Sequence, residues 1–137
     1  MQCNTPCCFV HHPKFYEELT GFISGHAPNT TIEETISNIE RLLVKHFYLK
    51  NISFTPKHLG LAQGFSGFTV YWLHLVVPNS NVSRTQLPKA YFYRSDSHIS
   101  FLCLDSHITN YKDSKLRRVA QERLEDIIEV LKTHNNN

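Results

Sequence analysis

Apolar residues recur at helical spacing in some stretches of this chain and alternate with polar ones in others, and their order predicts a fold. Phe15, Leu19, Phe22 and Ile23 follow Pro13, whose missing N–H suits a first helical turn, and Gly25 with Pro28 closes a short helix. Ile32, Ile36, Ile39, Leu43 and Phe47 then form one stripe. Thr30 or Thr31 stands before it, each with a glutamate three residues on (Glu33 or Glu34), so a capping box is available in either register. A third stripe, Leu116, Val119, Ala120, Leu124, Ile127, Ile128 and Leu131, follows a cap at Asp113 or Ser114.

Strand patterns fill the remainder. Cys7 to His11 reads as a short first strand, and Phe68 to Val77, apolar on nearly both faces, as a central one. Lys89 to Arg94 alternates, Ser95-Asp96-Ser97-His98 is turn material, and Ile99 to Leu104 resumes the strand pattern, which predicts a hairpin. From Tyr48 to Gly67, Pro56 and glycines at 60, 64 and 67 mark a long connection, either functional or hiding a short strand such as Ile52 to Phe54. The expected fold is α+β: an antiparallel sheet of about four strands with two N-terminal helices and a C-terminal amphipathic helix. One domain spans residues 1–137 and frays over 133–137.

Composition fits this. A length of 137 residues with 41% hydrophobic positions, nine Phe, six Tyr and one Trp fills one core rather than two. No apolar run approaches the roughly 18 residues that span a bilayer, and Met1-Gln2-Cys3-Asn4 lacks a signal-peptide start, so a cytoplasmic protein without a membrane partner is expected. The net charge of +2 excludes a broadly basic nucleic-acid surface and leaves room for a local patch. Cys3, Cys7, Cys8 and Cys103 form no disulfide framework. Cys7, Cys8, His11 and His12 have adjacent pairs rather than zinc-ligand spacing, so the expectation is no metal and a first strand carrying two small thiols.

Phosphate-binding glycine loops, paired carboxylates and nucleophile elbows are missing from the sequence, and no cofactor is expected. The C-terminal half instead collects Lys57, His58, Arg84, Lys89, Arg94, His98, His107, Tyr111 and Lys112. Metal-free RNA cleavage uses this inventory. The RNA brings its own 2′-hydroxyl nucleophile, a base takes that proton, cations hold the developing phosphorane charge and an acid protonates the leaving 5′ oxygen. His107 and Tyr111, just past a strand end, are candidates for a site, while Lys57-His58 reads equally as a solvated loop. His74 reads better as a sheet-face residue, and Trp72 and the strand tyrosines as packing. The last helix begins with Lys115, Arg117, Arg118 and Arg123 and turns acidic later, against the helix dipole; a solvated charged face or a function explains that order.

Tyr93-Arg94, the run Ile99 to Leu104, the segment His107 to Lys112 and the helix start Leu116-Arg117-Arg118-Val119-Ala120 together resemble the RelE/ParE superfamily of toxins, in its HigB- and YafQ-like branch. Phe9-Val10-His11-His12-Pro13 is similar to the opening of such toxins. The resemblance implies a toxin of a toxin–antitoxin system: a ribosome-dependent, metal-independent mRNA endonuclease with the ribosome, mRNA and a cognate antitoxin protein as partners. It implies Arg94 on the scissile phosphate, His107, Tyr111 and His58 as acid/base candidates, and Lys57, Arg84, Lys89 and Lys112 on RNA phosphates. The chain departs from that pattern in its length, its long 48–67 and 78–88 connections and its sparse basic residues. Alternatives are a ParE-like gyrase-inhibiting toxin and a non-enzymatic immunity or adaptor module.

Overall fold

The computed structural model describes residues 7–83, 86–105 and 113–135. Its elements are β1 (Cys8–Phe9), α1 (Pro13–His26), α2 (Ile32–Phe47), β2 (Leu59–Leu61), β3 (Val70–His74), β4 (Lys89–Arg94), β5 (His98–Asp105) and α3 (Asp113–Asn135). Pro13 opens α1 as its spacing predicts, with the His12 ring accepting the Lys14 N–H as the cap. Thr31 settles the register of the second cap: its hydroxyl accepts from Glu34 N at 3.1 Å, while Thr30 donates to the Glu34 carboxylate at 2.8 Å. Acids in the first turn of α2 and bases in its last suit the dipole.

The sheet has five strands in the order β1-β5-β4-β3-β2. From β2 to β5 the ladder is antiparallel, but β1 pairs parallel to β5, so the sheet is mixed rather than wholly antiparallel. A parallel partner needs a long crossover, and here almost the whole chain intervenes, so local patterning holds no sign of it. The strand expected near Ile52 is a second correction. Ile52 is 80% exposed, and the edge strand forms at Leu59–Leu61, a run too short to display alternation.

Two apolar layers flank the sheet. Phe15, Leu19, Ile39 and Leu43 pack on one face against Leu73, Phe92 and Phe101, with Phe15 stacked on Phe101 at 4.8 Å. Leu116, Ala120, Leu124 and Ile127 of α3 pack on the other against Tyr91, Leu102 and Cys103. A bulge between Tyr91 and Phe92 sends the adjacent Leu102 and Cys103 both toward α3, while Phe101 and Leu104 face the other layer. His98 to Leu104 is therefore buried throughout.

The paired histidines tie the layers together. The His11 Nδ1 accepts the Phe101 N–H at 3.0 Å, which places its proton on Nε2, donated to Glu40 at 2.8 Å. His12, held by Lys14 N, donates through Nε2 to Asp126 of α3 at 2.8 Å. Cys7 and Cys103 are buried free thiols, whereas Cys8 is disulfide-bonded, which the sequence reading did not anticipate.

Cys103 yields a pH prediction. Burial above all, then the nearby Glu18, pushes its thiol from 9.0 to about 12. The folded state thus keeps a proton that the unfolded chain gives up, and stability falls as pH rises from about 9 toward 12. Urea midpoints measured across that window are expected to decline, and Cys103→Ala is expected to flatten the decline while lowering the midpoint at neutral pH.

Candidate functional site

β2 places a histidine where the sequence shows only a loop. Residues 56–58 form a turn in which His58 N and Leu59 N both donate to Thr55 O, at 2.9 and 3.2 Å, and Lys57 is exposed on it. Leu59 pairs with Leu73 and Gly60 with Trp72; one step back, His74 N donates to His58 O at 2.9 Å. His74 in turn pairs with Lys89, and Lys89 with Asp105. His58, His74, Lys89 and Asp105 therefore make a transverse row over four strands, on the face toward α3, because a row of directly paired residues shares one side of the sheet. The helix packs on β5 and β4, so the β2–β3 end of the row lies beyond it.

The two imidazoles meet with Nδ1 3.4 Å from Nδ1, ring centroids 5.6 Å apart and planes at 71°. A hydrogen bond between these nitrogens requires a proton on one Nδ1 and none on the other. The ring donating from Nδ1 has an unprotonated Nε2, and the ring accepting at Nδ1 carries its proton on Nε2. Two otherwise equal side chains thus present one proton acceptor and one donor. They border a groove of about 470 Å³ at the sheet edge whose other walls include Leu42 of α2, Phe54 and Val82 from the α2 side, with Thr55, Val76 and Leu87. Lys89 Nζ lies 5.4 Å from the Trp72 ring centroid and 5.5 Å from that of Tyr91.

Of the sequence candidates, His58 and Lys89 lie in this row, and Lys57 is exposed on the turn beside it. Arg94 does not. It ends β4 at the opposite end of the hairpin, paired with Ile99 where Lys89 is paired with Asp105, and it faces the C-terminal end of α2. Its guanidinium lies 4.4 Å from the Phe47 ring centroid and 5.1 Å from that of Tyr48, with Nε lacking a hydrogen-bond partner. Burial raises the Tyr48 hydroxyl's pKa, and Arg94 pulls it back. Arg94 is thus a packed structural cation, removed by the hairpin's length from the strand end at Asp105. His107, Tyr111, Lys112 and Arg84 lie outside the described residues. His98 is buried at the hairpin turn with Nδ1 2.9 Å from the Ser97 hydroxyl.

His74 and Asp105 are the residues that sequence reasoning passed over. Their signal lies in strand pairing, which required β2 to be placed correctly. Among the described residues no three His, Cys, Asp or Glu side chains gather as a metal site, and no helix is long and apolar enough to cross a membrane. No protein-family model, curated protein or solved structure matches the chain.

Proposed function

We propose that the protein is a metal-independent endoribonuclease, the mRNA-cleaving toxin of a toxin–antitoxin pair, with His58 and His74 as its acid/base couple. The observation that carries this reading is the Nδ1 to Nδ1 approach of 3.4 Å at the rim of an open groove. In the reaction, the unprotonated Nε2 of one ring takes the 2′-hydroxyl proton. That ring's Nδ1 proton crosses to the other Nδ1, and the second ring releases its Nε2 proton to the departing 5′ oxygen. Phosphorus gains the bond to the 2′ oxygen and loses the bond to the 5′ oxygen; the pair ends with its roles exchanged and no net change in protons. Lys89, next in the row, supplies positive charge for the phosphorane, and Lys57 a further phosphate contact. Likeness to the RelE/ParE toxins supplies the ribosome as the place of action and a cognate antitoxin as the inhibitor.

Induced expression is expected to arrest growth and to produce discrete mRNA cuts in primer-extension maps, and His74→Ala is expected to remove the cuts. Arrest with intact mRNA would point instead to a gyrase-inhibiting toxin. Harmless expression with intact mRNA would leave a binding module.

A further inference from the structure

We propose that Trp72 is a stacking platform for an unpaired base, so that the RNA received by the His58–His74 pair is single-stranded; this rests on the reading of that pair as a ribonuclease centre. A Cβ built on Gly60 would lie 2.7, 2.8 and 2.9 Å from three atoms of the Trp72 indole. The indole therefore occupies the space of the missing side chain and lies against the backbone of β2. Glycine at this strand position costs backbone order, and close approach by a neighbouring group is a physical reason for it. Flattened in this way, the ring is half-buried and fixed before any ligand arrives.

Three neighbours suit a nucleotide. The His74 ring centroid is 5.4 Å from the indole, so a base stacked on Trp72 brings its sugar and phosphate to the histidine pair. The Lys89 ammonium lies over the same ring, 5.4 Å from its centroid, where a stacking base would meet it with its phosphate or displace it, and Lys57 is exposed on the turn before β2. Asp105 faces Lys89 across the ladder and tempers its charge, which leaves the aromatic surface a large share of the binding. Paired bases inside an A-form helix cannot be reached by a flat indole, whereas splayed single-stranded bases stack on aromatic side chains regardless of sequence.

Trp72 is the chain's single tryptophan, so its fluorescence reports on this position alone. A 2′-O-methyl oligonucleotide, which lacks the hydroxyl needed for cleavage, is expected to quench that emission saturably, and the corresponding duplex is not. Trp72→Leu is expected to weaken binding of a dye-labelled copy by about tenfold or more. Gly60→Ala, which displaces the ring without removing it, is expected to alter the emission before ligand is added and to weaken binding as well.

His58→Ala is expected to retain both quenching and affinity. Quenching by a protein that never cuts RNA would support the platform and remove the ribonuclease reading. The platform is overturned if the labelled oligonucleotide fails to bind, if it binds with unchanged emission, or if the duplex quenches equally.

Discussion

His58→Ala and His74→Ala are each expected to lower the rate of RNA cleavage by about 10²-fold or more, and the double variant is expected to be no slower than the worse single. That non-additivity follows from the shared proton. When either ring is lost, the route from the 2′-hydroxyl to the 5′ oxygen is broken at the same step. Two histidines acting independently would instead show effects that multiply. Single-turnover cleavage of a short mRNA programmed on ribosomes measures all three variants, and far-ultraviolet circular dichroism checks that each is folded. Both rings are half-buried at the rim of a groove, so loss of packing is expected to be modest beside the loss of rate. Single-variant rates within a factor of a few of wild type would move the chemistry elsewhere, with the segment holding His107 and Tyr111 next in line.

Arg123→Ala is expected to cost about 3 kcal/mol of stability, which corresponds to a fall in melting temperature on the order of 10 °C. Past its pairing with the N-terminal segment, β5 has an open edge. Arg123 and Glu18 close it. The guanidinium donates to both Glu18 oxygens at 2.8 and 2.9 Å and to Leu102 O at 3.0 Å, and Glu18 accepts Leu104 N at 3.0 Å. Truncating Arg123 leaves a carboxylate without its cation and a strand carbonyl without its donor in one place. A double replacement by leucines at 18 and 123 is expected to recover part of the loss, because the stranded charge goes with its partner. Calorimetric melting of the three proteins measures it. Arg123 is half-buried; burial pulls its pKa down, but the hydrogen bond and the charge of Glu18, with Cys103 and Asp126 behind them, together raise it. The basic start of α3 thus includes a structural cation rather than a row of free ones.

The sequence shows its own fold most clearly where one element answers to one local pattern. Ile32 to Phe47 is helical to the residue, because a cap and an apolar stripe agree, and the hairpin of β4 and β5 stands where two strand patterns flank a turn. What escaped depends on partners distant in the chain. β1 is two residues long and takes its direction from β5, and β2 is fixed by pairing with β3 rather than by its own three residues. The candidate site was half visible for the same reason. Lys57, His58 and Lys89 stand out by residue type, whereas His74 resembles any sheet-face histidine until strand pairing brings it beside His58. Arg94 stood out equally by type, yet its surroundings, the rings of Phe47 and Tyr48, come from another element.

The parallel pairing of Cys8 with His98 also fixes an order of assembly. Strands β2 to β5 join neighbours along the chain and can zip up locally, but β1 has no place to dock until β5 has been made. During synthesis the first strand must wait for nearly the whole domain to emerge. When it docks, His11 reaches Glu40 and His12 reaches Asp126, so one late event fastens the helical layers on both sides of the sheet.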